Sequence, residues 1–292
     1  MRAPGRWQFV LFFALSLHLI STPTAADNQE ESSQSFSELH LPRNAPRFAL
    51  IIVPAGDTSL HTQWLKSAET AGRNWDVALM YFGEEKGYKC KECVGVLPVA
   101  GAKWHCLSAF LNSSLWTEKL SKRYEAVMVA DDDLTMRAGV LNRFFKIFRD
   151  FRLTIGQPAV CRCVFHSIHL ALFTNFWPFF HYLFQLILGV LLCSNTPTFW
   201  HWFVGQHPDV MLRFTNFVEL MAPTFTTNFL DTTVRETLTE AHTGWALDFI
   251  WPYLLKFPKD KVAIVDETCI EHNLHPIEGR KRVYWVDMPR NE

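Results

Sequence analysis

The stretch Tyr124–Met136, YEAVMVADDDLTM, decides how the rest of the chain is interpreted. It begins with a short continuous apolar run, the pattern of a strand buried on both faces of a parallel sheet. The run stops at three consecutive aspartates, Asp131, Asp132 and Asp133. Adjacent like charges repel, so folding alone gives the chain little use for such a group. Open α/β sheets bind their ligands at the carboxyl ends of their strands, so the aspartates predict a cation site there.

Strands and helices alternate on both sides of this stretch. Short apolar runs predict strands, and apolar residues three or four apart predict helices. The predicted strands are RFALIIVPAG (47–56), WDVALMYFGE (75–84), YEAVMVADDD (124–133), RLTIGQPAV (152–160), LRFTNFVELMAPTFT (212–226) and DKVAIVDETCIEHNLHP (260–276). The predicted helices are TQWLKSAETAG (62–72), GAKWHCLSAFLNSSLWTEKLS (101–121), RAGVLNRFFKIFRDF (137–151) and AHTGWALDFIWPYLLKF (241–257). This alternation indicates βαβ units, so we expect an α/β domain with a mostly parallel sheet flanked by helices.

Composition is compatible with one large domain and excludes one class of partner. The chain has 292 residues, is 49% hydrophobic and has a formal net charge of −1. That is ample material for a core. The near-zero net charge gives no electrostatic footprint for nucleic acid, so we expect no nucleic-acid partner.

The N-terminus predicts entry into the secretory pathway. Arg2 and Arg6 precede the apolar stretch 7–20 and a small-residue cleavage region, so residues 1–26 are interpreted as a signal peptide or a short anchor. The polar residues 27–46 are predicted to be a flexible stem. We therefore expect the domain, residues 47–292, in the ER or Golgi lumen or secreted, with membrane association as an alternative. Asn112 begins a glycosylation sequon, which is compatible with this location.

Seven cysteines favour disulfides or plain thiols over a zinc site. Cys90 and Cys93 stand as CKEC, and a zinc ribbon would need a second pair at matching spacing. Cys161 and Cys163, one residue apart, do not supply that pair.

One segment breaks the α/β pattern. No charged residue occurs from Cys163 to Pro208, and within this region Ile168–Leu192 is apolar and long enough to span a bilayer. Three interpretations stay open: a transmembrane helix with membrane contact through 168–192, a buried hairpin, or a foreign insert of about 164–193. A span in the middle of the domain would place the two halves of one sheet on opposite sides of a membrane, which weighs against the first.

The aspartates suit a hard divalent cation. Mg²⁺ and Mn²⁺ prefer oxygen ligands and are commonly held by one or two carboxylates together with substrate phosphates. If the strand continues through them, Asp131 and Asp133 point to one face and Asp132 to the other. The alternative is a solvated acidic turn that precedes the next helix.

Three further segments carry candidate residues. A late histidine could complete a divalent site, although a lone histidine is more often a surface or hydrogen-bonded residue. Asp248 and Glu219 lie among apolar residues, where each is either a base or a satisfied core acid. The late acidic and histidine group comprises Asp266, Glu267, Glu271, His272 and His275.

Five ordered blocks carry a resemblance to a known family. The chain resembles a glycosyltransferase-like family of plants and bacteria labelled "lysine ketoglutarate reductase trans-splicing related", which is similar to nucleotide-diphospho-sugar transferases of the GT-A type. The blocks are ADDDL, IGQPAV, LRFTNFVELMAPTF, GWALDFIWPYLL and VAIVDETCIEH, and they cover most of residues 47–280. The chain departs from the family by the apolar stretch after QPA, which favours the interpretation of a foreign insert.

The resemblance implies a fold, a metal and a set of roles. It implies a GT-A-like, Rossmann-type domain in which Asp131, Asp132 and Asp133 serve the cofactor and the donor. Mn²⁺ or Mg²⁺ would be held by Asp131, Asp133 and His272. Asp248 would lie on the acceptor side.

The leading hypothesis is therefore a metal-dependent, hexosyltransferase-like glycosyltransferase. It would move a sugar from a nucleotide-diphosphate donor to a hydroxyl of a glycan or another acceptor. Asp248 or Glu219 would be the base if the configuration inverts. The alternatives are a non-catalytic carbohydrate-binding protein on the same fold, a metal-dependent phosphohydrolase, and a membrane protein whose domain is a vestige.

Overall fold

The fold is a mixed α/β domain, as the alternating pattern predicts. The computed structural model describes residues 37–161, 201–239 and 244–272, with the backbone alone for residues 201 and 202. Within these ranges a nine-stranded sheet is flanked by helices. The longer strand pairs are parallel, so the expected mostly parallel sheet is confirmed.

Most predicted elements are present with shortened ends. The strands are β1 Ala49–Ala55, β2 Trp75–Tyr81, β3 Gly95–Pro98, β4 Ala126–Val129, β5 Leu134–Thr135, β6 Ile155–Val160, β7 Arg213–Phe214, β8 Thr224–Thr226 and β9 Val262–His272. The helices are α1 His61–Ala71, α2 Lys103–Leu111, α3 Ala138–Asp150, α4 His201–Val204, α5 Thr227–Phe229, α6 Arg235–Thr237 and α7 Leu247–Leu254. Two π-helical segments span Leu115–Leu120 and Leu230–Val234.

Sheet order places the carboxyl ends of the key strands at one edge. The order is β3-β2-β1-β4-β8-β6-β9-β5, and β7 also pairs with β9. β4 and β6 are each antiparallel to β8, so they run parallel to one another, and β9 is parallel to β6. The carboxyl ends of β1, β2, β4, β6 and β9 therefore lie at the same edge.

Three boundaries differ from the sequence-based expectation. β4 ends at Val129, so the aspartates lie in the connection to β5 and not in a strand. The predicted helix 101–121 is divided into α2 and the first π-helical segment. The predicted strand 212–226 is reduced to β7 and β8, because the intervening residues form a loop at the sheet edge. β3 and β5 were not predicted; they are short, and β5 has only two residues.

Burial explains the strongest predictions. Every residue of β2 and β4 is buried, and β1 is buried apart from Pro54. α1 packs against α3, where the backbone N–H of Ala138 donates to Ser67 Oγ at 3.0 Å. α1 ends as predicted at Gly72, which adopts a left-handed φ of 62°. A Cβ there would lie 2.1 Å from the carbonyl oxygen of Leu41, so only glycine fits.

Two disulfides lie in the described ranges. Cys90 pairs with Cys93, which is one of the two outcomes expected for CKEC. Cys161 at the end of β6 pairs with Cys269 in β9.

Several predictions fall on other parts of the chain. The signal peptide or anchor (1–26), the insert (164–193) and His275 lie outside the described residues. The first half of the stem (27–36) does too. In the described half, the N–H groups of Leu39 and Leu41 donate to the backbone oxygens of Gly139 and Ala71. Within the described ranges, no helix combines the length and the apolar character that crossing a membrane requires.

Candidate metal and proton-transfer site

Three side chains predicted as metal ligands lie together at the carboxyl edge of the sheet. One ligand atom each from Asp131, Asp133 and His272 lies within 4.8 Å of the other two. The two aspartates follow β4, and His272 is the last residue of β9. β5 brings the two segments together, because Leu134 pairs with His272 in an antiparallel register.

The turn that carries the three aspartates is only partly exposed to solvent. The side chains of Asp131 and Asp133 are 33% and 23% exposed, and Asp132 as a residue is 7% exposed. The carbonyl oxygen of Asp132 accepts a hydrogen bond of 2.8 Å from the N–H of Leu60, which ties this loop to the one after β1. Asp131 and Asp133 lie after the end of β4, so a turn and not strand alternation brings their ligand atoms within 4.8 Å.

Lys103 is a part of this site that the sequence did not reveal. Its ammonium donates to Asp131 Oδ1 at 2.7 Å and to the carbonyl oxygens of Leu220 and Met221 at 2.6 and 3.3 Å. It also lies 4.9 Å from the ring centroid of Trp104. One lysine at the start of a helix carries no local signal, since its contacts lie 28 and more than 100 residues away in the chain.

Glu219 lies beside the cluster on the loop between β7 and β8. Its N–H donates to Gln157 Oε1, and its Oε2 accepts a 2.7 Å bond from the N–H of Met221. The carbonyl oxygen of Met221 in turn accepts from the N–H of Asp131 at 2.7 Å. Desolvation of the carboxyl group, followed by the charge of Asp131, raises the pKa of Glu219 to about 7.

His272 is held by opposite charges. Its Nε2 lies 3.6 Å from Asp133 Oδ1. Burial by itself would lower the pKa of His272. The carboxylate of Asp133, assisted by those of Asp131 and Glu219, outweighs burial and raises this pKa above its ordinary value.

The donor atoms fit a divalent cation. Asp131 and Asp133 offer carboxylate oxygens that converge with a ring nitrogen of His272, and Lys103 pairs with Asp131 on the same side of the cluster. Carboxylate oxygens suit Mg²⁺ and Mn²⁺, and the imidazole of His272 extends the range toward transition metals. The donor set is therefore compatible with the expected Mn²⁺ or Mg²⁺.

A polar cluster occupies the neighbouring ends of β1 and β2. Asp57 accepts a hydrogen bond from the hydroxyl of Tyr81, and Tyr81 stacks on Tyr88 with ring centroids 4.3 Å apart. His61 Nδ1 lies 2.6 Å from Ser59 Oγ, and its Nε2 lies 3.1 Å from the hydroxyl of Tyr88. Burial lowers the pKa of His61 to about 4, so its ring is neutral at pH 7.

Asp248 lies on a different element. It is in the first turn of α7, where its Oδ1 accepts from the N–H of Phe249 at 3.2 Å and burial raises its pKa. α7 approaches the site through Trp251, whose ring centroid lies 5.3 Å from that of Trp104. Asp248 is not among the three clustered ligands.

The late acidic group separates into two. Asp266 is fully buried and Glu267 is partly buried, and each forms a two-point ion pair, with Arg213 and Arg143 respectively. These two acids are committed to arginines, whereas His272 turns toward Asp133. Glu271 is exposed.

Comparisons with known proteins identify no family. No family model matches the chain, and no curated protein matches it in sequence. Among solved structures, a 4-diphosphocytidyl-2C-methyl-D-erythritol synthase from Anaerococcus prevotii DSM 20548 aligns with a TM-score of 0.34 and 11% identity. The alignment covers 75% of this chain and 88% of that one. A likeness of this size supports neither a family nor an activity.

Proposed function

We propose that the chain is a metal-dependent glycosyltransferase on a GT-A-like domain. It moves a sugar from a nucleotide-diphosphate donor to an acceptor hydroxyl in the secretory pathway. The observation that carries the proposal is the convergence of Asp131, Asp133 and His272 within 4.8 Å, at the carboxyl edge of a mostly parallel sheet.

The three convergent side chains would hold Mn²⁺ or Mg²⁺. When bound, such an ion neutralises charge that develops on a departing diphosphate. Asp132 supports the same loop through its bond to Leu60 and does not need to touch the ion.

Glu219 is the favoured proton acceptor of the two candidates. Its pKa of about 7 is close to the pH at which a general base works best, and its carboxyl group interacts with Asp131 and His272. In an inverting transfer, Glu219 takes the proton of the acceptor hydroxyl as that oxygen bonds to the anomeric carbon. The bond from that carbon to the diphosphate oxygen breaks in the same step. Asp248 is the second candidate, on α7.

The polar cluster after β1 is suited to the donor's nucleoside. Tyr81 and Tyr88 offer stacked rings, and Asp57 offers a carboxylate whose pKa is lowered by its bonds to Tyr81 and Glu84. The bond from Leu60 to Asp132 places this loop next to the metal ligands. A nucleotide with its base near the tyrosines would direct its diphosphate toward the aspartates.

A secretory location agrees with two features of the described residues. Disulfides persist in oxidising compartments, and two are present. Asn112 of the sequon is exposed at the end of α2. Membership of the glycosyltransferase-like family and membrane contact through 168–192 belong to the same proposal and rest on the sequence alone.

The test is donor turnover by the full chain. A panel of nucleotide sugars is incubated with Mn²⁺ or with a chelator, and release of nucleoside diphosphate and transfer to simple glycosides are measured. We expect metal-dependent turnover that falls at least about 100-fold in the double variant Asp131→Asn, Asp133→Asn. Glu271→Gln removes an exposed charge from the same strand end and is the matched control, with turnover unchanged.

Two other outcomes would replace the proposal. Nucleotide-sugar binding without turnover by any donor would indicate a non-catalytic carbohydrate-binding protein. Metal-dependent release of phosphate from simple phosphoesters would indicate a phosphohydrolase. Turnover that is unchanged in the double variant would show that the aspartates are not the metal ligands.

A further inference from the structure

The end of β9 that carries His272 is a separate short piece of strand. In the parallel register with β6, Pro158 pairs with Val265, but the next residue, Ala159, pairs with Cys269. Residues 266–268 therefore bulge out of the pairing. Cys269 to His272 begins a new register beyond this bulge, so the regular pairing of β9 does not by itself fix the position of His272.

Few backbone pairs hold this terminal piece. On one side, Ala159 and Val160 pair with Cys269 and Ile270, and the N–H of Cys161 donates to the carbonyl oxygen of Ile270 at 2.9 Å. On the other side is β5, which has only two residues and belongs to the same loop as Asp133. Cys269 and Ile270 are buried in the core, whereas Glu271 is exposed and His272 is partly buried, so the last two residues are the least constrained part of the piece.

A covalent bond supplements these pairs. Cys269, the first residue after the bulge, is joined to Cys161, the residue that follows β6, with 5.0 Å between the Cα atoms. The bond lies three residues before His272 and attaches the piece to a buried strand. The second disulfide, between Cys90 and Cys93, closes a local loop before β3 and does not touch β9.

We infer that the Cys161–Cys269 disulfide is a positioning element of the metal site, holding the end of β9 so that His272 stays within reach of Asp131 and Asp133. The inference rests on the proposed metal site. Breaking the bond leaves His272 on a piece of strand that samples more positions, so the three ligand atoms converge less of the time and metal affinity falls.

The bulge is also held by contacts other than the disulfide. Asp266 and Glu267 are held by Arg213 and Arg143, and the N–H of Glu267 donates to the carbonyl oxygen of Met211 at 2.9 Å. These contacts all precede Cys269. Beyond the bulge, the piece depends on its own backbone pairs, on the burial of Cys269 and Ile270, and on the disulfide. The following experiment distinguishes positioning of His272 by the disulfide from positioning by the contacts of the bulge.

The experiment compares metal binding by two matched disulfide variants of the full chain. The parent and both variants carry Cys163→Ser and Cys193→Ser, so that neither cysteine can form a disulfide with Cys161 or Cys269. One variant carries Cys161→Ser and Cys269→Ser, and its control carries Cys90→Ser and Cys93→Ser. Peptide mapping without reductant first establishes the Cys161–Cys269 link, and absence of that link overturns the inference.

Two measurements follow at a temperature at which circular dichroism shows all proteins folded. Titration with Mn²⁺ gives the dissociation constant. Broadening of the His272 ring resonance at matched Mn²⁺ occupancy, assigned through its loss in His272→Ala, reports the distance of the ring from the ion. It would not change if the bond only stabilised the fold. We expect the Cys161/Cys269 variant to bind Mn²⁺ about 10- to 100-fold more weakly, with reduced broadening. The Cys90/Cys93 variant should match the parent.

The outcomes separate the two proposals. A parent protein that does not bind Mn²⁺ contradicts the proposed metal site. A parent that binds, with equal affinity and broadening in both variants, overturns the positioning role alone. If the Cys161/Cys269 variant does not fold, the Cys90/Cys93 variant is compared in its oxidised and mildly reduced states, and the same loss of affinity is expected on reduction.

Discussion

Two acidic regions lie on or beside β9, and they are neutralised in different ways. In the bulge, Asp266 and Glu267 each receive two bonds from the guanidinium group of one arginine. In the metal cluster, Asp131 and Asp133 contact one lysine and one titratable histidine. An arginine remains charged at every accessible pH and fits a carboxylate in two places, which makes the bulge a permanent structural feature.

The difference shows how to distinguish structural acids from acids available to a ligand. Asp266 is fully buried with its charge matched, so it leaves no surface for a cation. The cluster acids keep 33% and 23% of their side chains exposed, and their ligand atoms converge with that of His272. They are therefore accessible to a cation, whereas the two acids of the bulge are each committed to an arginine.

The largest expected effect on stability comes from removing the buried ion pair of the bulge. Arg213→Met leaves the Asp266 carboxylate buried without its arginine, and we expect the free energy of unfolding to fall by about 3–5 kcal/mol. Urea denaturation of the full chain measures the change. Lys146→Met, which breaks an exposed pair with Asp150, is the control and should cost no more than about 0.5 kcal/mol. Equal losses of unfolding free energy in Arg213→Met and Lys146→Met would mean that the ion pair in the bulge stabilises the fold no more than an exposed pair does.

A change within the cluster should behave in the opposite way. Asp133→Asn removes one of several like charges, so the metal-free protein should change in stability by less than about 1 kcal/mol. The parent protein should gain about 2.7 kcal/mol from Mn²⁺ at 100 times its dissociation constant, which is a rise in Tm of about 5–10 °C. The variant should lose that gain. Thermal melts with and without Mn²⁺ measure it, and a full Mn²⁺ shift in Asp133→Asn would contradict the ligand assignment.

The pH dependence of stability sharpens the comparison further. The folded-state pKa of Glu219 is raised to about 7 from an ordinary value of 4.5. Its contribution to stability is therefore full below pH 4.5 and is lost as the pH rises through about 7, because the folded protein then holds a desolvated carboxylate. We expect a loss of about 2–3 kcal/mol across this window in the metal-free protein. Glu219→Gln should remove this part of the slope, as followed by urea denaturation at several pH values.

The smallest expected effect is at the second bulge pair. Glu267 and Arg143 keep 21% and 23% of their side chains exposed, so water partly compensates a broken pair. Arg143→Met should lower the free energy of unfolding by about 1 kcal/mol and leave Mn²⁺ affinity unchanged. A drop as large as that of Arg213→Met would mean that burial does not separate the two pairs.

The sequence predicted the strands of the parallel core well, because they are short, continuous apolar runs. It predicted α1 and α3 for a similar reason, since the local spacing of apolar residues decides both. The predictions failed where pairing is set from outside the segment. β5 exists only because it meets the end of β9, and the strand predicted over 212–226 opens into a loop that supplies Glu219 to the cluster.

The chain by itself determined the α/β class and the three aspartates at the end of β4, because apolar runs and charge patterns are local properties. Strand alternation suggested Asp131 and Asp133 as partners, a late histidine was a candidate third ligand, and the resemblance assigned that role to His272. Only the tertiary structure showed that their ligand atoms converge, that Lys103 joins Asp131, and that Asp266 is matched by Arg213. Residues distant in sequence meet through sheet order and register, and local sequence does not encode which buried charge will face which.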